Sequence, residues 1–326
     1  MKKRVFSALM AAALTASMVF GTVAASAEEK SNEDITIGIS MCAIESQMWA
    51  EYQSTMHATC DEMGVKYTEV IAENDTQKQN QQIENLISSG ADAIVIAPAD
   101  GEAVVAAIKK CNDAGVPVVM ANRAAGEGAE VVGTVTSDNE AMVQRELEYI
   151  LEKAKEDGTK YKVIKLVGSL TDANAIARDN GFNAVADANP DVFDVVSEVA
   201  TEWKGELALA GILSAFEENP DVNMIFSPSD ALLPSIISGL QQLDKYKKIG
   251  EEGHVTLVTF DGAKDAVDAI KEGYVDVVSV QDATNQAKLC IEAAVAAVKG
   301  EEVESMTDPG FEVTADNVDE LGFEGY

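Results

Sequence analysis

The sequence holds 326 residues, 47% of them apolar, and carries a net charge of −32. That apolar share supports packed cores, and the length exceeds what one core ordinarily fills, so two domains are expected. So acidic a surface repels phosphate backbones and anionic lipid, which excludes nucleic acid as a partner.

The chain opens on a stretch, Met1–Ala27, that reads as a cleavable secretory signal. Lys2, Lys3 and Arg4 form its positive leader, Leu9 to Val19 its apolar segment, and Ala25-Ser26-Ala27 its small-residue cleavage pattern. The apolar segment, broken by Thr15 and Ser17 and closed by Gly21, falls short of the ~20 residues needed to cross a bilayer. No Cys follows it as a lipid-anchor signal, so a periplasmic or secreted protein is expected. Cys42, Cys60, Cys111 and Cys290 form no C-x-x-C pair. Buried thiols are the expected state, with one disulfide as the alternative open to an exported protein.

From Ile35 onward, short β-rich runs alternate with amphipathic helical stretches, which predicts parallel sheets with helical crossovers. The strands Ile35–Ser40, Tyr67–Ala72, Asp92–Ala97 and Val116–Ala121 interleave with helices Met48–Met63 and Gln77–Ser89. A second series follows: helix Glu140–Lys155, strand Lys162–Val167, helix Asp172–Asp187, strand Val195–Ala200, helix Glu206–Glu218 and strand Met224–Ser227. Strands Val255–Phe260 and Val275–Val280 and the helix Ala283–Lys299 come next, before an acidic tail read as irregular. The near-copies Asn189-Pro190-Asp191-Val192 and Asn219-Pro220-Asp221-Val222 each stop a helix before a strand. No low-complexity linker separates the two series, so the domains are expected to be joined by several short crossings.

Ligands of open parallel sheets sit beyond the carboxyl ends of the strands. The residues at those positions are Ser40, Trp49, Asn122, Arg123, Arg178, Trp203, Ser229, Asp230, Asp261 and Gln281. Planar donors, carboxylates, amides and both Trp residues therefore gather at one end. Such a set suits an uncharged polyhydroxylated ligand, whose hydroxyls bridge Asp and Arg while ring C–H faces lie on indoles. Taken singly, Arg123 and Asp261 fit ordinary ion pairs, Trp49 and Trp203 fit core packing, Asp230 fits a helix cap and Gln281 fits a hinge. The shared location carries the argument.

The order of these residues resembles the type I periplasmic sugar-binding proteins of ABC transporters, in their ribose- and galactose-binding branch. The resemblance spans Ile35 to Asp308. It rests on Ile35–Ser40, Ala91-Asp92-Ala93-Ile94-Val95-Ile96-Ala97-Pro98 and Gly115-Val116-Pro117-Val118-Val119. It continues through Thr136-Ser137-Asp138-Asn139, Arg178-Asp179-Asn180-Gly181-Phe182, Phe260-Asp261-Gly262 and Val298-Lys299-Gly300-Glu301.

The resemblance implies an α/β fold of two doubly wound parallel-sheet lobes joined by a three-crossing hinge. The lobes would be residues 28–137 plus 282–305 and residues 138–281 plus 306–326, with crossings near Ser137, Gln281 and Met306. It implies that Arg123, Arg178, Asp261 and Gln281 hydrogen-bond sugar hydroxyls and that Trp49 and Trp203 sandwich the ring. Asn122 stands where the family commonly has Asp, Ser229 where it has Asn or Asp, and Met41–Gln47 lacks the usual Asn-Pro. Those departures change which hydroxyls are read, so the class of ligand is implied and the particular sugar is left open. A monomer that passes a monosaccharide or polyol to an ABC permease is expected, with no cofactor or metal. The alternative is a receptor for chemotaxis or quorum sensing. An enzyme lacks its usual bearers here, with only His57 and His254 and no phosphate or nucleophile motif; a repressor would need a basic helix-turn-helix where the export signal stands.

Overall fold

The computed structural model describes residues 30–326, so the signal expected at Met1–Ala27 lies outside the described residues. The first sheet forms from β1 (Thr36–Met41), β2 (Lys66–Ile71), β3 (Ala93–Ile96), β4 (Val118–Asn122) and β5 (Gly133–Ser137). The helices α1 (Gln47–Met63), α2 (Thr76–Ser88) and α3 (Val105–Asp113) connect them. Next come α4 (Asn139–Asp157), β6 (Tyr161–Val167), α5 (Ala173–Ala188), β7 (Phe193–Ala200), α6 (Gly205–Glu218) and β8 (Met224–Phe226). The chain continues with α7 (Leu233–Gln242), β9 (Thr256–Asp261), α8 (Lys264–Lys271), β10 (Val277–Val280) and α9 (Ala283–Val298). It ends with β11 (Met306–Asp308), β12 (Phe311–Thr314) and α10 (Val318–Leu321).

Continuous apolar runs, whose successive residues point to opposite faces, explain why each sheet is covered on both faces. Ile37, Ile39, Ala93, Val95, Val119 and Ala121 face a core shared with α1 and α9, while Ile94, Ile96, Val118 and Met120 face the core under α2 and α3. The second lobe repeats the device. Val163, Met224, Phe226, Val258 and Phe260 meet α4 and α5, and Ile164, Ile225, Leu257 and Val278 meet α6, α7 and α8. Truncating one of these fully buried Ile or Phe side chains to Ala costs about 2–5 kcal/mol. The two Asn-Pro-Asp-Val stops work as read: α5 ends at Ala188 and α6 at Glu218.

The sheet orders are β11-β5-β4-β3-β1-β2 and β12-β10-β9-β8-β6-β7, parallel throughout except for β10 against β12. In each sheet the order reverses beside the first strand, and the crevice at that switch point is where α/β sheets place ligands.

The tail is not irregular. Met306–Asp308 pairs with β5 in the first sheet and Phe311–Thr314 pairs with β10 in the second. The third crossing therefore runs through Pro309-Gly310, a few residues beyond Met306, with Gly310 at φ +60 in the turn. Asp308 ties the three crossings together. Its carbonyl accepts from Asp138 N–H at 2.9 Å, and its carboxylate accepts from Asp282 N–H at 2.7 Å and Gly310 N–H at 3.0 Å. All four cysteines are buried and unpaired, the state expected of them.

Candidate functional site

Several helices begin at the mouth between the lobes, each capped by its own side chain. Ser46 accepts from Trp49 N–H at 3.2 Å at the start of α1, and Asp172 from Asn174 N–H at 2.9 Å at the start of α5. Caps of this kind satisfy orphan donors and fix where the first turn points. Trp49 and Arg178 are set by those two helices, and Asn122, Ser229 and Asp261 by the strand ends.

The lobes enclose a cavity of about 110 Å3, lined among others by Trp49, Asn122, Arg123, Arg178, Trp203, Ser229 and Asp261. Three expected residues stand elsewhere. Ser40 is buried one residue before the end of β1, where its hydroxyl accepts from Gln79 Nε2 of α2 at 3.2 Å, so it belongs to the first lobe's core. Asp230 lines the adjoining part of the cleft, which shares Trp203 and Asp261 with the cavity, and braces the loop after β9, accepting from Thr259 Oγ1, Gly262 N–H and Ala263 N–H at 2.7–2.8 Å. Gln281 is fully buried behind the cavity and orients its neighbours.

The polar side chains form a ring across both lobes, made of hydrogen bonds and closed by one ion pair. Arg178 Nε donates to Asn139 at 2.7 Å, Asn139 to Asn174 at 3.2 Å, and Asn174 to the Asn122 side chain at 2.9 Å. Asn122 donates to Gln281 at 2.9 Å, and Gln281 to Asp261 Oδ1 at 2.7 Å, which lies 3.3 Å from Arg178 Nη1. Because every amide donates forward and accepts from behind, the orientation of each is set by the next.

Two ion pairs lie in the cleft, whose lining also carries the Glu45 carboxylate. Arg123 Nη2 stands 2.8 Å from Asp172 Oδ2 across the lobes, and Arg178 pairs with Asp261 within the second lobe. Burial pulls the Arg123 guanidinium down, but the Asp172, Cys42 and Asp261 charges together outweigh it and the net shift is upward. Burial lowers Arg178 despite Asp261. The Asp261 and Asp230 carboxyls are both raised, chiefly by burial; for Asp230 the adjacent Asp261 charge adds to it, and for Asp261 the Arg178 guanidinium opposes it.

The indoles stand on opposite lobes. Arg123 lies 5.4 Å from the Trp49 ring centre, and Trp203 Nε1 donates to Asp172 at 3.2 Å. Trp203 packs so close to Gly168 that a Cβ there would fall 2.3 Å from its ring. Asn122, Trp203 and Asp261 all hold positive φ, of 61°, 60° and 115°, which costs of order 1–3 kcal/mol each and concentrates at sites. Asp172, Asn174 and Asn139 were missed by reading strand ends, because they act from helix N-termini; the sequence signal was the Asp-x-Asn start of α5. Among the described residues no group of three or more His, Cys, Asp or Glu could hold a metal ion.

Residues 37–302 match the periplasmic binding protein domain family. The chain is 28% identical over 272 residues to the ribose import binding protein of Bacillus subtilis, covering 83% of this chain and 84% of that one. It is 29% identical over 254 residues to the xylitol-binding protein of Mycolicibacterium smegmatis, covering 76% and 68%. Its fold is similar, with a TM-score of 0.79 at 24% identity, to an ABC transporter solute binding protein from Bacillus halodurans C-125 with bound myo-inositol, over 90% of this chain and 98% of that one. These relatives are solute-binding proteins and not enzymes, and the two sheets, the hinge and the matched residues agree. The chain belongs to the periplasmic binding protein domain family.

Proposed function

We propose that this protein captures one neutral monosaccharide or polyol between its lobes outside the cytoplasm and delivers it, as a monomer, to an ABC permease. The observation that carries the reading is the charge-paired cavity lined from both lobes, with an indole on each side. Its paired guanidinium and carboxylate groups offer hydroxyls both donors and acceptors. Arg123 keeps a buried Nε–H that has no protein partner, a donor that a ligand hydroxyl satisfies. The cavity's small volume suits a single ring. The ligands of the relatives, ribose and xylitol, and of the similar structure, myo-inositol, are all small and polyhydroxylated. Export would be directed by Met1–Ala27.

Ligand contacts are assigned to Arg123, Arg178, Asp261, Asn122, Asn174 and Ser229 for hydroxyls and to Trp49 and Trp203 for ring faces. Ligand touching both lobes binds the closed arrangement better than the open one, and that difference drives closure. A thermal-shift panel of pentoses, hexoses, polyols, nucleosides and amino acids tests the reading. A ligand at ~1,000 times its Kd stabilises the fold by about 4 kcal/mol, which moves a midpoint by several degrees. Shifts confined to nucleosides or amino acids would reject it.

A further inference from the structure

Tyr326 bonds to both sides of the second hinge crossing. Its phenol donates to the Gln281 carbonyl and accepts from Ala283 N–H at 2.9 Å, an amide that also donates to the Gln281 carbonyl at 2.9 Å across the tight turn at Asp282. Gln281 follows β10 of the second lobe, Ala283 begins α9 of the first, and Asp282 alone separates them at φ −80 and ψ 73. The backbone of Tyr326 fastens a second element. Its N–H donates to the Gly262 carbonyl at 3.2 Å, and its carbonyl accepts from Lys264 N–H at 3.3 Å. Gly262 directly follows Asp261, the carboxylate paired with Arg178.

The ring of Tyr326 packs against the cores of both lobes. It meets Phe323 edge-on at 5.5 Å, and Phe323 meets Phe311 edge-on at 5.4 Å, just past the third crossing. Gly325 is required for this approach: it holds φ +85, and a Cβ there would stand 2.4 Å from Lys264 Cα. Burial raises the phenol above its ordinary value, so it remains a donor across the neutral range. Tyr326 does not line the cavity.

We infer that Tyr326 is a positioning residue, one that clamps the Asp282 pivot and seats the Asp261 loop in the same geometry, biasing the hinge toward closure and so setting ligand affinity. Rotation at Asp282 separates the Gln281 carbonyl from the Ala283 N–H, which breaks their own hydrogen bond and pulls apart the two groups that the Tyr326 hydroxyl holds. Apparent affinity scales with the population of the competent arrangement, so a loosened clamp weakens binding without removing any ligand contact. The affinity half of the inference rests on the sugar reading above; the hinge half does not.

The test compares full-length wild type, Tyr326→Phe and Tyr326→Ala by small-angle X-ray scattering in plain buffer, by thermal melting, and by calorimetry with ribose, xylitol and myo-inositol. Tyr326→Phe keeps the ring packing and should melt within about 2 °C of wild type. It should nevertheless show a larger radius of gyration and bind whichever of the three sugars wild type binds about 5-fold or more weakly. Tyr326→Ala should move scattering the same way and also melt earlier. A Tyr326→Phe scattering profile superimposable on wild type, with only Tyr326→Ala altered in melting, overturns the inference and reduces Tyr326 to packing. If none of the three sugars binds wild type, the sugar reading loses support while the scattering comparison still decides the hinge claim.

Discussion

Arg123 and Asp172 meet across the cleft at 2.8 Å, one from the strand end of the first lobe and one from the helix cap of the second, with side-chain exposures of 11% and 1%. The same carboxylate caps α5 through Asn174 N–H and accepts from the Trp203 indole. One side chain thus fixes a helix start, an aromatic wall and the apposition of the lobes.

Asp172→Ala should therefore weaken ligand binding more than it lowers stability. It leaves the Arg123 guanidinium buried without its partner when the lobes close, a loss that typically costs roughly 2–5 kcal/mol. Each lobe keeps its own core, so the melting midpoint should fall by only a few degrees. Calorimetry beside thermal melting checks the split; unchanged affinity with a large drop in melting would make the pair purely structural.

Arg178→Ala should abolish binding and also destabilise the second lobe. Its guanidinium donates to the Pro228 carbonyl at 2.6 Å and to Asn139 at 2.7 Å, and lies 3.7 Å from the Phe260 ring centre, so the residue is a support of the lobe as well as a proposed ligand contact. Removing it orphans buried acceptors at about 1–3 kcal/mol each. A variant that melts like wild type would show that those acceptors find other partners.

Gly168→Ala should displace Trp203. The added Cβ would sit 2.3 Å from the ring, and overpacking of this kind costs about 1–3 kcal/mol. Trp49 and Trp203 are the two Trp residues of the chain, so ligand should change wild-type fluorescence. In the variant that response should shrink along with affinity. A full response at wild-type affinity would move Trp203 out of the site.

His254 should make stability depend on pH. Its Nδ1 bonds the Lys247 carbonyl at 2.9 Å and its Nε2 lies 3.1 Å from Asp276, so both ring nitrogens donate, as they do in the imidazolium. Burial lowers its pKa, but Asp276, the Lys247 carbonyl and Glu251 together outweigh burial and the net shift is upward. A group raised on folding contributes fully below its unfolded value near 6.5 and loses that contribution as pH rises through the folded value. The melting difference between wild type and His254→Ala should therefore be largest below about pH 6 and narrow toward alkaline pH. A difference that stays flat across that window would contradict the ion pair.

Much of the fold was legible because a strand covered on both faces is a continuous apolar run in the sequence, as in Ala93-Ile94-Val95-Ile96. The segments that escaped depend on partners. Gly133–Ser137 is rich in Thr and Ser, Met306–Asp308 is short with one buried residue, and both become strands because neighbouring strands offer a ladder. At the site, strand-end position located Arg123, Arg178, Asp261 and both indoles. It misplaced Ser40 because β1 runs one residue further and turns that hydroxyl toward Gln79. It missed Asp172 and Asn174 because their role arises only when two lobes, far apart in sequence, come together. The cap on α5 was visible; its partner Arg123 was not.

Titration calorimetry of the mature protein with ribose, xylitol and myo-inositol, alongside amino acids and nucleosides, tests the central claim most directly. The account predicts saturable binding of at least one neutral sugar or polyol, one molecule per chain, lost in Arg178→Ala and weakened in Asp172→Ala. Heat from amino acids or nucleosides alone, or sugar binding indifferent to both substitutions, would contradict it.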